Sequence, residues 1–262
     1  MRKRLIPAFL LLAPLASAQF TWTVEADSSG LIVDVRPPAP NLLGMHALAA
    51  FSGDLVAERV HTLSDGGHIR EPGKTQHLVA DGQDRARIET ALLPNGAAWN
   101  PKVITIADPH AGYMYIFFDG EKTAYRLKRP PDRAALNRNR IRPVPQKPSV
   151  RQLTSTKGVA VTEEILESRS MEGVQAEGVR TTSVWPVNSR GNDRPITVVE
   201  EHWTTPEFGL MMAMISDPIA GDKVTRLENV KLAAPDPSVF APPPDYAIED
   251  IAAPFTVRLK RQ

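Results

Sequence analysis

The chain has 262 residues, with 31 Lys and Arg against 30 Asp and Glu, a formal net charge of +1, and no cysteine. That balance argues against a polyanionic partner such as nucleic acid. The missing cysteines exclude a disulfide framework, thiol catalysis and a lipid-attachment cysteine behind a leader. Stability has to come from a core alone, and the length is ample for one domain or two small ones.

The first residues read as an export signal. Arg2, Lys3 and Arg4 precede an apolar run from Leu5 to Leu15, and Ala16-Ser17-Ala18 supplies the small-x-small pattern of a cleavage site. The run is well short of the ~20 residues a bilayer span needs, and Pro7 and Pro14 interrupt it. The expectation is a signal peptide over 1–18, cleaved after Ala18, and a bacterial protein that is periplasmic or secreted, with no transmembrane segment after cleavage. Losing three of the 31 basic residues leaves 28 against 30 acidic ones, a net of −2. Residues 19–50 are expected to be an extended N-terminal segment.

From Phe51 to Lys128 short strands alternate with turns, the first half of an antiparallel β domain. Leu55 to Leu63 ends at Ser64-Asp65-Gly66-Gly67, where glycine accepts positive φ at no steric cost. A return strand runs through Thr75 to Val79, and Asp81-Gly82 forms the next turn. Ala86, Ile88, Thr90 and Leu92 alternate with Arg85, Arg87 and Glu89, the period of a half-buried strand. Val103 to Ile106, Tyr113 to Phe118 and Thr123 to Lys128 complete a predicted six-strand meander. Tyr113 to Phe118 is apolar on both faces and is expected to be covered on both.

Arg129 to Ser149 holds five prolines. Residues 129–157 read as a basic, proline-rich linker or loop, because proline donates no ladder hydrogen bond. Met45 to Phe51 and Asp132 to Asn139 are the only helical candidates. Residues 158–250 form the second half of the same domain, with strands near 159–168, 176–184, 196–204, 210–215 and 224–230, about eleven strands in all. Pro235 to Pro244 is too rich in proline for a helix or a central strand and is expected to wrap the body. Residues 251–262 read as a C-terminal tail. Ile106-Ala107-Asp108-Pro109-His110-Ala111-Gly112 matches Ile215-Ser216-Asp217-Pro218-Ile219-Ala220-Gly221 at five of seven positions. Shared turn chemistry explains the match more simply than a duplicated half.

Chemistry-bearing patterns are sparse. A two-residue turn near Asp65 would put His61 and His68 on one face with His77 on the other, spread over roughly 7–13 Å at ~3.4 Å per residue. One metal needs all its ligand atoms near ~2.1 Å, so no metal site is assigned. Glu163-Glu164 and Glu200-Glu201 cannot act as dyads, since neighbours on a strand face opposite ways. Glu200 and His202 share a face and define an envelope hydrolase as a remote alternative, although a salt bridge is the simpler reading. No nucleophile elbow, phosphate loop or dinucleotide fingerprint is present. The chain is therefore read as a non-enzyme, with no catalytic residue and no cofactor.

Two features suggest binding. Met211, Met212 and Met214 place soft, polarizable side chains on a single strand. If one face lines a cavity, Met212 and Met214 with Trp203, Phe208, Tyr113, Tyr115 and Phe117 would suit a lipid or acyl ligand. Between Arg126 and Arg151 lie nine Lys or Arg and one acid, Asp132. Arg129, Arg133, Arg138, Arg140 and Arg142, flanked by Lys128 and Lys147, could attract an acidic protein or an anionic membrane surface. The segment lacks the aromatic interleaving that nucleic acid would require.

The paired strands, then Asp217-Pro218-x-x-Gly221, Leu227-Glu228-Asn229-Val230, and Pro235-Asp236-Pro237-Ser238-Val239-Phe240 leading to Pro244-Asp245-Tyr246, resemble a group of uncharacterised secreted bacterial proteins. They are also similar to the outer-membrane lipoprotein carrier superfamily, over about Phe51 to Ile248. The resemblance implies a mainly β fold: a curved antiparallel meander sheet, an incomplete β-barrel with few short helices, holding a lipid or acyl group on its concave face. It carries over no catalytic residues. The leading expectation is a non-catalytic carrier. The alternative is a cell-envelope interaction protein that uses residues 126–151 and exposed strand edges to meet an acidic partner.

Overall fold

The computed structural model describes residues 20–36, 49–63, 65–93, 97–128, 147–154, 158–207, 209–252 and 254–261. The leader, the candidate helix Asp132 to Asn139 and most of Met45 to Phe51 lie outside them, while Ala50 and Phe51 belong to a strand.

The described residues are mainly strand with almost no helix, arranged in two sheets, neither closed into a barrel. The first meander is β3 (Ala50–Thr62), β4 (His68–Asp81), β5 (Ala86–Ala91), β6 (Lys102–Asp108), β7 (Tyr113–Phe118) and β8 (Thr123–Lys128). These are six strands, each paired antiparallel to the next. The second meander is β9 (Ser149–Thr154), β10 (Ala160–Ile165), β11 (Arg169–Met171), β12 (Val174–Trp185), β13 (Ile196–Thr205), β14 (Gly209–Asp217) and β15 (Gly221–Lys231). The halves meet where the first strand of one, β3, pairs antiparallel with the last strand of the other, β15. This seam makes a single large sheet, in which β8 and β9 lie toward opposite ends although they are neighbours in sequence. Asn229, at φ 56°, sits in the irregularity that shifts the seam's register between Glu228 and Lys231.

The termini correct the sequence reading. Residues 19–50 are not a plain extended segment: β1 (Thr21–Asp27) and β2 (Gly30–Arg36) form a hairpin. Its turn is capped by Asp27, which accepts from the amides of Ser29 and Gly30 at 2.7 and 3.0 Å. The 251–262 tail supplies β17 (Phe255–Lys260), which pairs with β2 to complete a three-stranded sheet. β2 and β17 pair across some 220 residues of sequence, a partnership that no local signal announces. Within the supposed linker 129–157, β9 is a strand paired to β10. The proline-rich tail is not wholly extended either: Pro237–Phe240 makes a 3-10 turn, which tolerates proline in its first turn and is capped by Asp236. The described residues alone hold seventeen strands, against about eleven expected.

The alternation seen in the sequence sets the faces. Ala86, Ile88 and Thr90 are buried, as their spacing predicts. On β7, Met114, Ile116 and Phe118 face the small sheet and pack with Phe20, Leu31, Val33, Val35, Val257 and Leu259. On the opposite face Phe117 packs with Val79, Ile104, Ile106, Ala124 and the tail's Phe240. The strand is thus covered on both sides. A third cluster joins Phe51, Leu55, Leu78, Ile88, Met211, Leu227 and Trp203 around the seam.

The two DPxxG turns share their chemistry. Asp108 accepts from the amides of His110 and Ala111, and Asp217 from those of Ile219 and Ala220. They join the fourth to the fifth strand in the first meander, but β14 to β15, the innermost pair, in the second. The echo therefore marks no equivalent place in the two halves. The histidine faces are reversed from expectation. Leu63 pairs with Gly67, so the loop is one residue longer than a two-residue turn, and Thr62 rather than His61 stands opposite His68. A further register shift beyond Val56 then brings His77 opposite Asp54. His68 and His77 share a face and His61 has the other. Among the described residues no group of three metal-ligating side chains converges.

Candidate functional site

The ladder registers put Tyr113, Tyr115 and Phe117 on the same sheet face as Trp203, Met212 and Met214. They do not come together there. Six interstrand steps separate β7 from β14, about 29 Å along the sheet at ~4.8 Å per step. Phe208 lies outside the described residues, as do Arg129, Arg133, Arg138, Arg140 and Arg142.

Each group is already engaged within the chain. Phe117 is 2 % exposed, with the Tyr246 ring edge-on at 5.4 Å and the Arg87 guanidinium over its face. Arg87 also donates to the Val239 carbonyl at 3.2 Å, and Arg85 stacks on Phe240. The tail thus covers Phe117, while Tyr113 and Tyr115 stay half-buried. Trp203 lies across Gly178 on the neighbouring strand, and the Arg169 guanidinium sits 3.7 Å from its ring centroid. Arg169 also points an N–H at the Met212 sulfur, 3.9 Å away. The indole N–H faces Glu201, which accepts two bonds from Arg180, itself bound to Glu164. Glu201 holds the Arg180 guanidinium above its ordinary pKa. This face of β12 to β14 is a cation–π and ion-pair lattice.

The reverse face of the same strands is different. It is continuous, rung by rung, with the face on which the small sheet packs. One rung runs Ala213, His202, Val179, Ile165, and the next Ile215, Glu200, Thr181, Glu163. Val198, Ser183 and Val161 form a third. The apolar members are buried or half-buried. Glu200 and His202 share this face, as their spacing predicts, with Glu200 Oε2 3.7 Å from His202 Nε2. That distance is too long for a hydrogen bond. His202 Nδ1 is buried and has no hydrogen-bond partner among the described residues. A buried ring nitrogen without a partner costs about 1–3 kcal/mol, and native proteins seldom leave one unexplained. Sequence spacing found the pair but not this nitrogen, since its burial comes from the strands on either side.

A second polar constellation lies at one end of the large sheet. The tail forms β16 (Ala247–Ile251), paired parallel to β8. Lys122 meets Asp245 at 2.6 Å, Arg126 grips Asp250 through two bonds of 2.6 and 3.1 Å, and Lys128 reaches the same carboxylate at 3.3 Å. The Arg126 bonds and Lys128 hold the Asp250 carboxyl at about 2, below its ordinary 3.8. Two basic side chains assigned to an outside partner are therefore satisfied by the chain's own acids.

Among the described residues no helix is long and apolar enough to cross a membrane. Comparison with known protein families finds no family model that matches the chain, and a search of curated proteins finds no match.

Proposed function

We propose that the protein is an exported, non-catalytic binding protein of the bacterial envelope, carrier-like in architecture. Its ligand is apolar with a polar head, a fatty acid or other acyl compound, held on the sheet face that carries His202 rather than on the one carrying Trp203. The observation that supports this is the unpartnered His202 Nδ1, set among Val179, Ala213 and Ile165. An imidazole nitrogen either donates or accepts according to its tautomer, so a carboxyl or carbonyl head would relieve it. The apolar side chains of the same rungs would shelter the acyl chain. The basic leader, the open antiparallel sheet and the closing tail agree with the carrier reading.

Purified protein would be extracted for lipid mass spectrometry and then titrated with a pyrene-labelled dodecanoate. Bound acyl lipid and saturable uptake are expected, with His202→Leu weakening uptake about tenfold, the effect of one lost polar contact. Finding neither lipid nor uptake would overturn the proposal. A wild-type affinity in His202→Leu would remove the site.

A further inference from the structure

The ion-paired edge of the sheet carries an inference independent of any apolar ligand. β16 is the only strand among the described residues that pairs in parallel, and its hold on the protein is almost wholly polar. Ala247, Ile248, Glu249 and Asp250 are exposed and only Ile251 is half-buried. What fixes it is the backbone ladder from Ala247 opposite Thr123 to Ile251 opposite Leu127, the Ala247 amide on the Lys122 carbonyl at 2.8 Å, and the ion pairs of Asp245 and Asp250. The chain on either side is anchored by apolar burial instead. Upstream, Phe240 is 4 % exposed against β5 and β6; downstream, Val257 and Leu259 lie in the core beneath the small sheet. Between them and ahead of β17, among the described residues, only Tyr246 and Ile251 touch the margins of these clusters, so lifting the segment withdraws two part-buried side chains and leaves both anchors in place.

We propose that the outer edge of β8 is a docking edge for an extended acidic segment of another protein, and that β16 occupies it in cis as a displaceable stand-in. An edge strand presents a row of free N–H and C=O groups that recruits any suitable strand. Lys122, Arg126 and Lys128 select for carboxylates among the candidates. Exposed ion pairs are weakened by salt, and a parallel ladder is slightly less stable per residue than an antiparallel one. A partner that offers the same acids on a longer strand therefore competes on favourable terms.

The test uses the full chain and a fluorescent peptide with the sequence of residues 245–251. Asp245→Asn/Asp250→Asn frees the edge and should bind the peptide at least about tenfold more tightly than wild type, with affinity falling steeply as salt is raised. Arg126→Gln/Lys128→Gln frees the edge equally but should not bind, because the selecting charges are gone. Absence of peptide binding in the first variant, or equal binding in both, would overturn the proposal. So would concentration-dependent dimerisation of the first variant that excludes the peptide, since the occupant would then be a second copy. Amide exchange on the unaltered protein tests the same point without mutation. Ala247 to Ile251 should exchange at least about a hundredfold faster than β7, and equal protection would count against a displaceable strand.

Discussion

Gly178 shows how one residue decides what a neighbouring aromatic can do. An added Cβ would lie 2.7 Å from carbons of the Trp203 ring, closer than packed carbons approach. Only glycine lets the indole lie across β12 and receive the Arg169 guanidinium on its ring. Gly178→Ala should lift the ring, break the stack and destabilise the protein by about 1–3 kcal/mol, visible as a shift in tryptophan emission and a lower urea midpoint. An unchanged spectrum would mean that the ring is not held by this contact. His202 is the complementary case, a polar group with Glu200 near one ring nitrogen and, among the described residues, nothing bonded to the other.

Among the elements, the three-stranded sheet is the one on which the first half of the molecule depends. Period-two apolar positions in β6 to β8 leave one face that must be covered, and Leu31, Val33, Val35, Val257 and Leu259 cover it. Leu259, 2 % exposed and only three residues from the C-terminus, contributes as a core residue rather than as a tail residue. Leu259→Ala should cost about 2–5 kcal/mol in chemical denaturation, the range for a leucine truncated inside a packed core. A loss under ~0.5 kcal/mol, the figure for an exposed site, would contradict the packing. β16, a few residues away on the same tail, carries no comparable burial, and this contrast makes it the movable part.

For the whole molecule, the decisive feature is the seam. Two meanders of the same general pattern could have folded as separate sheets. The pairing of β3 with β15 instead merges them, and Leu55 stands opposite Leu227 at the join. The two halves are therefore expected to unfold together, with fluorescence and far-UV circular dichroism giving one coincident transition. A double-mutant cycle on Leu55→Ala and Leu227→Ala should show a coupling of about 0.5–1 kcal/mol. Two separated transitions would show that the seam is too weak to unite the halves.

Local chemistry is what the sequence could determine. The strands from β3 to β8, the turn at Asp81-Gly82, the DPxxG turns and the shared face of Glu200 and His202 all follow from period-two alternation and from residues that accept tight turns. Each of these signals spans fewer than about ten residues. Tertiary structure alone decided the rest. It paired β3 with β15 and β2 with β17 across most of the chain's length, placed β16 on β8, and set the Leu63 to Gly67 loop at a length that turns His68 to the other face. It also brought tail residues over Phe117 and left His202 Nδ1 buried without a partner among the described residues. Strand pairing between distant segments rests on the summed fit of backbone ladders and side-chain packing, and no short stretch of sequence holds that sum.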